Sequence, residues 1–349
     1  MVRTGINDKN IHVLGRTYLS EEALTVFWTA SGIELKISAS ELWVELESDY
    51  SSMEPWICVE INGSFISRQM VVKGVHNICI FRNMDPNVKK HVRILRETQA
   101  MSDDKDSLLQ IKALYHDGAV EPLKSRTRKI EFIGDSITSG EGTYGSKSEN
   151  DWVSMFFSAS NNYAVMTARA LNADLDILSQ SGWGVSTSWD GDENKALPLY
   201  YEQICGVVKG ERNVKLHAHD RYDFEKRRVD AVVVNLGTND ESALRCGQEY
   251  DRSGVRKFKK AAIDFLRILR RCNPQADIIW AYGMLGKGFI DHIKEAAASY
   301  KEQSGDKKVF VLELPQMSES TVGACGHPGA GNHREAAMVL TEYLKKKWR

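Results

Sequence analysis

The chain has 349 residues, more than one ordinary domain, and its 42% hydrophobic and 27% charged residues are those of a folded globular protein. A formal net charge of −1, with Lys and Arg dispersed, removes the electrostatic case for a nucleic acid or an anionic membrane as partner. Six cysteines without a CxxC pair read as reduced thiols, and no apolar leader or membrane-length run is visible. Together these predict a cytoplasmic protein, although a chain whose signal peptide had been removed would read the same.

Up to about Val120 the chain consists of short runs rich in Val, Ile, Leu and aromatics. Leu24–Trp28, Ile33–Ile37, Leu42–Leu46 and Trp56–Ile61 come first, then Asn77–Phe81, His91–Glu97 and Leu108–Tyr115. Asn62-Gly63 after Trp56–Ile61 is a hairpin signal, since both residues tolerate positive φ. Short strands at such spacing predict a β-sandwich or jelly roll over residues 1–122.

From Arg128 the texture changes to strands alternating with helices. Lys129–Ile133 is a strand that runs straight into Gly134-Asp135-Ser136. Helix Ala164–Leu171, strand Leu175–Leu178 and the continuous apolar run Val229–Leu236 follow. Lys257–Cys272 carries apolar residues at helical spacing. It precedes strand Asp277–Tyr282, helix Ile290–Gln303, strand Lys308–Leu314 and helix Asn332–Lys347. This alternation predicts an α/β domain over 123–349, a parallel sheet covered on both sides. The boundary falls near the charged, Pro122-containing stretch 121–127.

In open α/β sheets functional groups collect at the carboxyl ends of strands. Gly134-Asp135-Ser136, Ser181-Gly182-Trp183-Gly184, Asn235–Asp240 and His327-Pro328 all fall at such places. Ser136 can supply a nucleophilic hydroxyl and His327 the base that takes its proton. The backbone amides of Ser136 and Gly182 and the side-chain amide of Asn239 can serve as oxyanion donors.

These blocks, in this order, resemble those of the GDSL/SGNH hydrolases: Phe132-Ile133-Gly134-Asp135-Ser136-Ile137-Thr138, then Gly182, Gly237-Thr238-Asn239-Asp240 and His327-Pro328. The resemblance implies a flavodoxin-like three-layer SGNH domain. With a β-sandwich ahead of it, and with Thr138-Ser139-Gly140-Glu141-Gly142 and Ala168–Asp174, the chain is similar to the second carbohydrate esterase family. That family implies an O-acetylesterase acting on acetylated mannan or xylan, often at O6. An acetylated oligosaccharide is then the expected partner. One departure stands out. The Asp that usually lies three residues before the catalytic His is Ala324 here, and the position two before it is Cys325. A Ser-His dyad leaning on a backbone carbonyl is the preferred reading, with Glu313, Glu319 and Asp190 as candidate acids.

Other features have plainer readings. His333 is assigned to the final helix, and Asp135 and Asp240 to loop structure. His217-Ala218-His219-Asp220 lacks a third ligand at a recognisable spacing, so no metal is expected, and nothing calls for a cofactor. Trp183 either stacks on a sugar ring or packs in a domain interface. Trp152 and Trp189 are candidate cleft walls. A lipase or thioesterase, or a carbohydrate-binding protein with a degenerate hydrolase domain, are the alternative functions.

Overall fold

A computed structural model describes all 349 residues. It divides into two compact units, residues 1–125 with 153–155 and 203–221, and residues 126–152, 156–202 and 222–349.

The first unit holds two six-stranded antiparallel sheets. One runs Thr17–Leu19, Leu24–Val26, Leu108–His116, Leu42–Asp49, Gly74–Phe81, with Val2–Gly5 also paired to Leu108–His116. The other runs Ala119–Glu121, Gly32–Ser38, Lys89–Arg96, Trp56–Ile61, Ser64–Met70, with His12–Leu14 on Gly32–Ser38. Period-2 alternation explains the shared core. In Leu42–Asp49 the side chains of Leu42, Val44 and Leu46 are buried while Trp43, Glu45 and Glu47 alternate with them on the other face. On that outer face Tyr115 donates to Glu45 at 2.6 Å and Lys112 to Glu47 at 2.9 Å. Leu24, Val26, Leu42, Val44, Leu109 and Ile111 of one sheet pack in one apolar cluster with Ile33, Leu35, Ile57, Val59, Val92 and Ile94 of the other. Each such side chain contributes roughly 1.5–3 kcal/mol by leaving water. The Asn62-Gly63 signal is realised as a two-residue turn in which Ile61 pairs with Ser64 and both turn residues have positive φ.

Sequence texture assigns everything after residue 122 to one domain, but two later segments pack with the first unit. Arg16 donates to the carbonyl of Gln203 at 3.0 Å, and Trp28 to that of Ile204 at 2.7 Å. Asn213 donates to Ser107 at 3.0 Å, and Arg68 to Met155 at 2.8 Å. Segment 203–221 holds only one five-residue helix, Glu211–Lys215, so it has no long apolar period to betray its partner.

The second unit is a five-stranded parallel sheet. Its strands are β1 (Lys129–Gly134), β2 (Asp174–Ser179), β3 (Ala231–Asn235), β4 (Asp277–Tyr282) and β5 (Val309–Glu313). They lie in the order β2-β1-β3-β4-β5, the doubly wound order of flavodoxin-like sheets. The helices are α1 (Ser136–Ser139), α2 (Tyr163–Ala170), α3 (Thr238–Leu244), α4 (Arg252–Cys272), α5 (Ile290–Ser304) and α6 (Ala330–Lys347), with one-turn pieces between. Helix α2 packs with α6, and α4 with α5. Right-handed crossovers require this division, because β1-α2-β2 steps one way across the sheet while β3-α4-β4 and β4-α5-β5 step the other. Strand β3 is buried at every residue, which is why its sequence shows no alternation. Helix α4 begins five residues ahead of its apolar period, where Asp251 accepts hydrogen bonds from the amides of Ser253 and Gly254.

Candidate active site

The register of the parallel sheet sets the level at which the site is built. Gly134 at the tip of β1 pairs with Ser179 of β2 on one side and with Asn235 of β3 on the other. The three following loops therefore leave the sheet together. From β1 the chain turns at once into α1, whose first residue is Ser136. Asp135 caps this helix, accepting from the amide of Ile137 at 3.0 Å. Its side chain is fully buried and its second oxygen has no partner, so burial, with the carboxylates of Glu141 and Asp240, raises its pKa to about 7.

His327 arrives on the loop between β5 and α6. Its Nε2 lies 2.9 Å from Ser136 Oγ, and its Nδ1 lies 2.9 Å from the carbonyl oxygen of Cys325. A carbonyl can only accept, so Nδ1 carries the proton and Nε2 is left with a lone pair for the serine hydroxyl. The supporting carbonyl comes from a tight turn, with φ of 54° at Cys325 and 65° at Gly326. This turn is tied down by the amide of Cys325 donating to Glu149 at 2.7 Å and its thiol donating to Asp151 at 3.2 Å. None of the candidate acids reaches the imidazole. Glu313 is engaged by Lys287 and Lys294, Glu319 by Lys147, and Asp190 by Ser188. Glu141, which sequence reasoning passed over, places Oε1 3.6 Å from His327 Nε2.

The amides of Ser136 and Gly182 donate to no other protein group. Gly182 has φ of 78°, and a Cβ there would meet Trp189 Cδ1 at 3.0 Å, so both backbone and space call for glycine. Asn239, on the first turn of α3, donates from Nδ2 to the carbonyl of Trp183 at 2.9 Å, which leaves its second N–H available. Asp240 beside it accepts from the amides of Val185 and Ser186, each at 2.8 Å, and from the Ser186 hydroxyl at 2.6 Å. Start of α3 and loop 182–186 are thus one hydrogen-bonded piece.

The tryptophans separate. The Trp183 ring is 3% exposed and packed on Tyr200 at 5.2 Å between centroids, which leaves no free face for sugar stacking; its carbonyl, not its indole, enters the site. Trp189 is 62% exposed and leans on Gly182, while Trp152 is 40% exposed and edge-on to Phe157. His333 lies in α6, fully buried, with its basicity pushed down to about 3 by burial. His217 pairs with Asp220 at 2.7 Å, whereas His219 turns to the carbonyl of Val208 at 2.7 Å, so the two imidazoles serve different partners.

The chain is 43% identical to an acetyl xylan esterase, Est2A, from the rumen bacterium Butyrivibrio proteoclasticus, with a TM-score of 0.97 over 99% of this chain and 98% of that one. It is 27% identical to the cellulase/esterase CelE of Acetivibrio thermocellus over 92% of this chain, but spans only 37% of that protein. It is 26% identical to an acetylxylan esterase / glucomannan deacetylase of Cellvibrio japonicus over 97% of this chain and 89% of that protein. Residues 130–340, well over half of the chain, match the GDSL-like lipase/acylhydrolases, and the chain belongs to that family.

Proposed function

We propose that the protein is a carbohydrate O-acetylesterase that removes acetyl groups from mannan- or xylan-derived oligosaccharides, O6 acetyls included. The observation that carries this reading is the 2.9 Å approach of Ser136 Oγ to an imidazole nitrogen whose ring is held by a backbone carbonyl on its other side. The esterase and deacetylase activities of the similar proteins supply the substrate class. Six cysteines outside any disulfide favour a reducing, cytoplasmic setting, and hence short oligosaccharides as substrate.

In this mechanism Ser136 Oγ attacks the acetyl carbonyl carbon while its proton passes to His327 Nε2. The carbonyl oxygen gains the negative charge and is met by the amides of Ser136 and Gly182 and by Asn239 Nδ2. The C–O bond to the sugar then breaks, and the leaving alkoxide takes the proton back from Nε2. A water, deprotonated by the same nitrogen, releases acetate and restores Ser136. Trp189, exposed beside Gly182, and Trp152 offer ring faces to the sugar.

The test is acetate release from acetylated manno- and xylo-oligosaccharides by wild type and Ser136→Ala. Rapid release by wild type is expected, reduced by roughly 10³-fold or more in the variant. Poor release of acetate together with turnover of long-chain esters would replace the reading with a lipase-like one.

A further inference from the structure

In the usual triad one aspartate does two things: it orients the histidine through Nδ1, and it offsets the positive charge the ring acquires. Here the Nδ1 partner is the carbonyl of Cys325, which orients the ring but carries no charge. The carboxylate is elsewhere. We propose that Glu141 supplies the electrostatic half of the missing acid, facing His327 from the Nε2 side and stabilising the imidazolium formed when Ser136 gives up its proton. This rests on the esterase reading above and concerns a positioning residue that acts through His327.

The geometry is specific. Glu141 Oε1 lies 3.6 Å from Nε2, close for two opposite charges but too long for a hydrogen bond that would compete with Ser136 for the lone pair. The Glu141 side chain is buried, and its one ion-pair partner is His327, with no lysine or arginine in reach. The backbone around it joins the two catalytic segments. The amide of Glu141 donates to the carbonyl of Ser136 at 3.0 Å, and the next residue, Gly142, accepts from the amide of Ala324 at 2.9 Å. Gly142 has φ of 70°, and a Cβ on it would lie 2.2 Å from the carbonyl oxygen of Ala324 and 2.8 Å from His327 Cβ. The glycine lets the 140–142 strap press against the histidine loop, and that contact brings Glu141 beside the ring.

The other ionisable groups around His327 do not fill this role. His333 behind it is held neutral by burial, and burial raises the pKa of Asp135 to about 7. Cys325 sits among Glu149, Asp151 and Glu141, which with burial keep its thiol protonated. Glu149 and Asp151 adjoin the Cys325 turn, on the Nδ1 side of the ring.

The experiment is the pH profile of kcat and kcat/KM on 4-nitrophenyl acetate for wild type, Glu141→Gln and Glu141→Asp. A carboxylate beside the ring favours its protonated form, so removing it should move the acid limb of kcat/KM to lower pH by roughly half a unit or more. The plateau kcat should fall roughly tenfold or more, because the imidazolium in the transition state loses its counter-charge, while KM changes little. Glu141→Asp should keep the limb near its wild-type position. If Glu141→Gln folds as wild type but leaves limb and plateau in place, or if Glu141→Asp shifts the limb as far as Gln does, the proposal fails. A purely structural role would lower stability in both variants without moving the limb. A wild type with no ester turnover would instead remove the functional reading, and this proposal with it.

Discussion

The two units bury charge in different ways. In the first, Lys90 is fully buried and donates to the carbonyls of Ala39, at 2.6 Å, and Asp85. Arg96 donates to the carbonyls of Val26, Thr98 and Gln99, and burial lowers it only to about 10, so it stays charged at neutral pH. These cations hold loop carbonyls next to the strands, and the Asp85 carbonyl also accepts from the amide of Val88 at 3.3 Å. In the second unit Asp135 is as deeply buried but accepts one amide and leaves Oδ2 bare, and His333 leaves Nε2 bare. A buried polar atom without a partner costs roughly 1–3 kcal/mol. The first unit has bare buried atoms of its own, such as Thr98 Oγ1 and His116 Nδ1, but its buried cations are met by carbonyls, whereas in the second unit bare atoms of two ionisable groups lie beside Ser136 and in the helix that follows His327. Titratable groups with shifted acidity gathered beside the candidate nucleophile and base are consistent with the proposed site.

The comparison makes mirror-image predictions. Asn239→Ala should cut kcat by about 10²–10³, roughly 3–4 kcal/mol of barrier, if it removes one of the three proposed oxyanion donors. Its effect on the unfolding free energy should be small, because only the bond to the Trp183 carbonyl is lost. Lys90→Met should do the reverse, lowering the urea-unfolding free energy by roughly 1–3 kcal/mol as the buried Ala39 carbonyl loses its donor. Its kcat, measured where the protein is folded, should stay within about twofold of wild type. A kcat loss in Lys90→Met, or an unfolding loss in Asn239→Ala as large as its kinetic loss, would erase the distinction.

Much of this division is legible in the sequence, for a physical reason. The sandwich strands alternate because one face of each is wet, and β3 does not because neither of its faces is. Ser136, Gly182 and Asn239 stand out as candidates because each follows a strand tip, and those tips lie in register. What stays hidden depends on contacts far apart in sequence. Glu141 is only one letter of the Thr138–Gly142 block, with no role of its own, until the fold lays it against His327. Trp183 stays open between sugar platform and packed ring because nothing local shows Tyr200 covering it. Segment 203–221 reads as part of the second unit because its bonds to residues of the first carry no periodic signature.

The smallest expected effect is the one that would sharpen the comparison most, since it concerns the bare groups themselves. Asp135 titrates near 7 in the folded state against an ordinary value of 3.8, so between those values the folded form holds a proton the unfolded form lacks. Its contribution to stability therefore falls as pH rises, by about 1.4 kcal/mol per unit. His333 titrates near 3 in the folded state against 6.5, so over that range the unfolded form holds the extra proton and stability rises with pH at the same slope. From about pH 4.5 to 6 the two slopes oppose each other, and their joint contribution to the unfolding free energy should be nearly flat. His333→Asn should uncover the Asp135 slope, making the protein relatively more stable toward acid. Asp135→Asn should uncover the opposite slope. Urea unfolding at four pH values across that window reads both. If the two variants keep parallel profiles, Asp135 and His333 are not titrating as buried groups, and the second unit handles its charges no differently from the first.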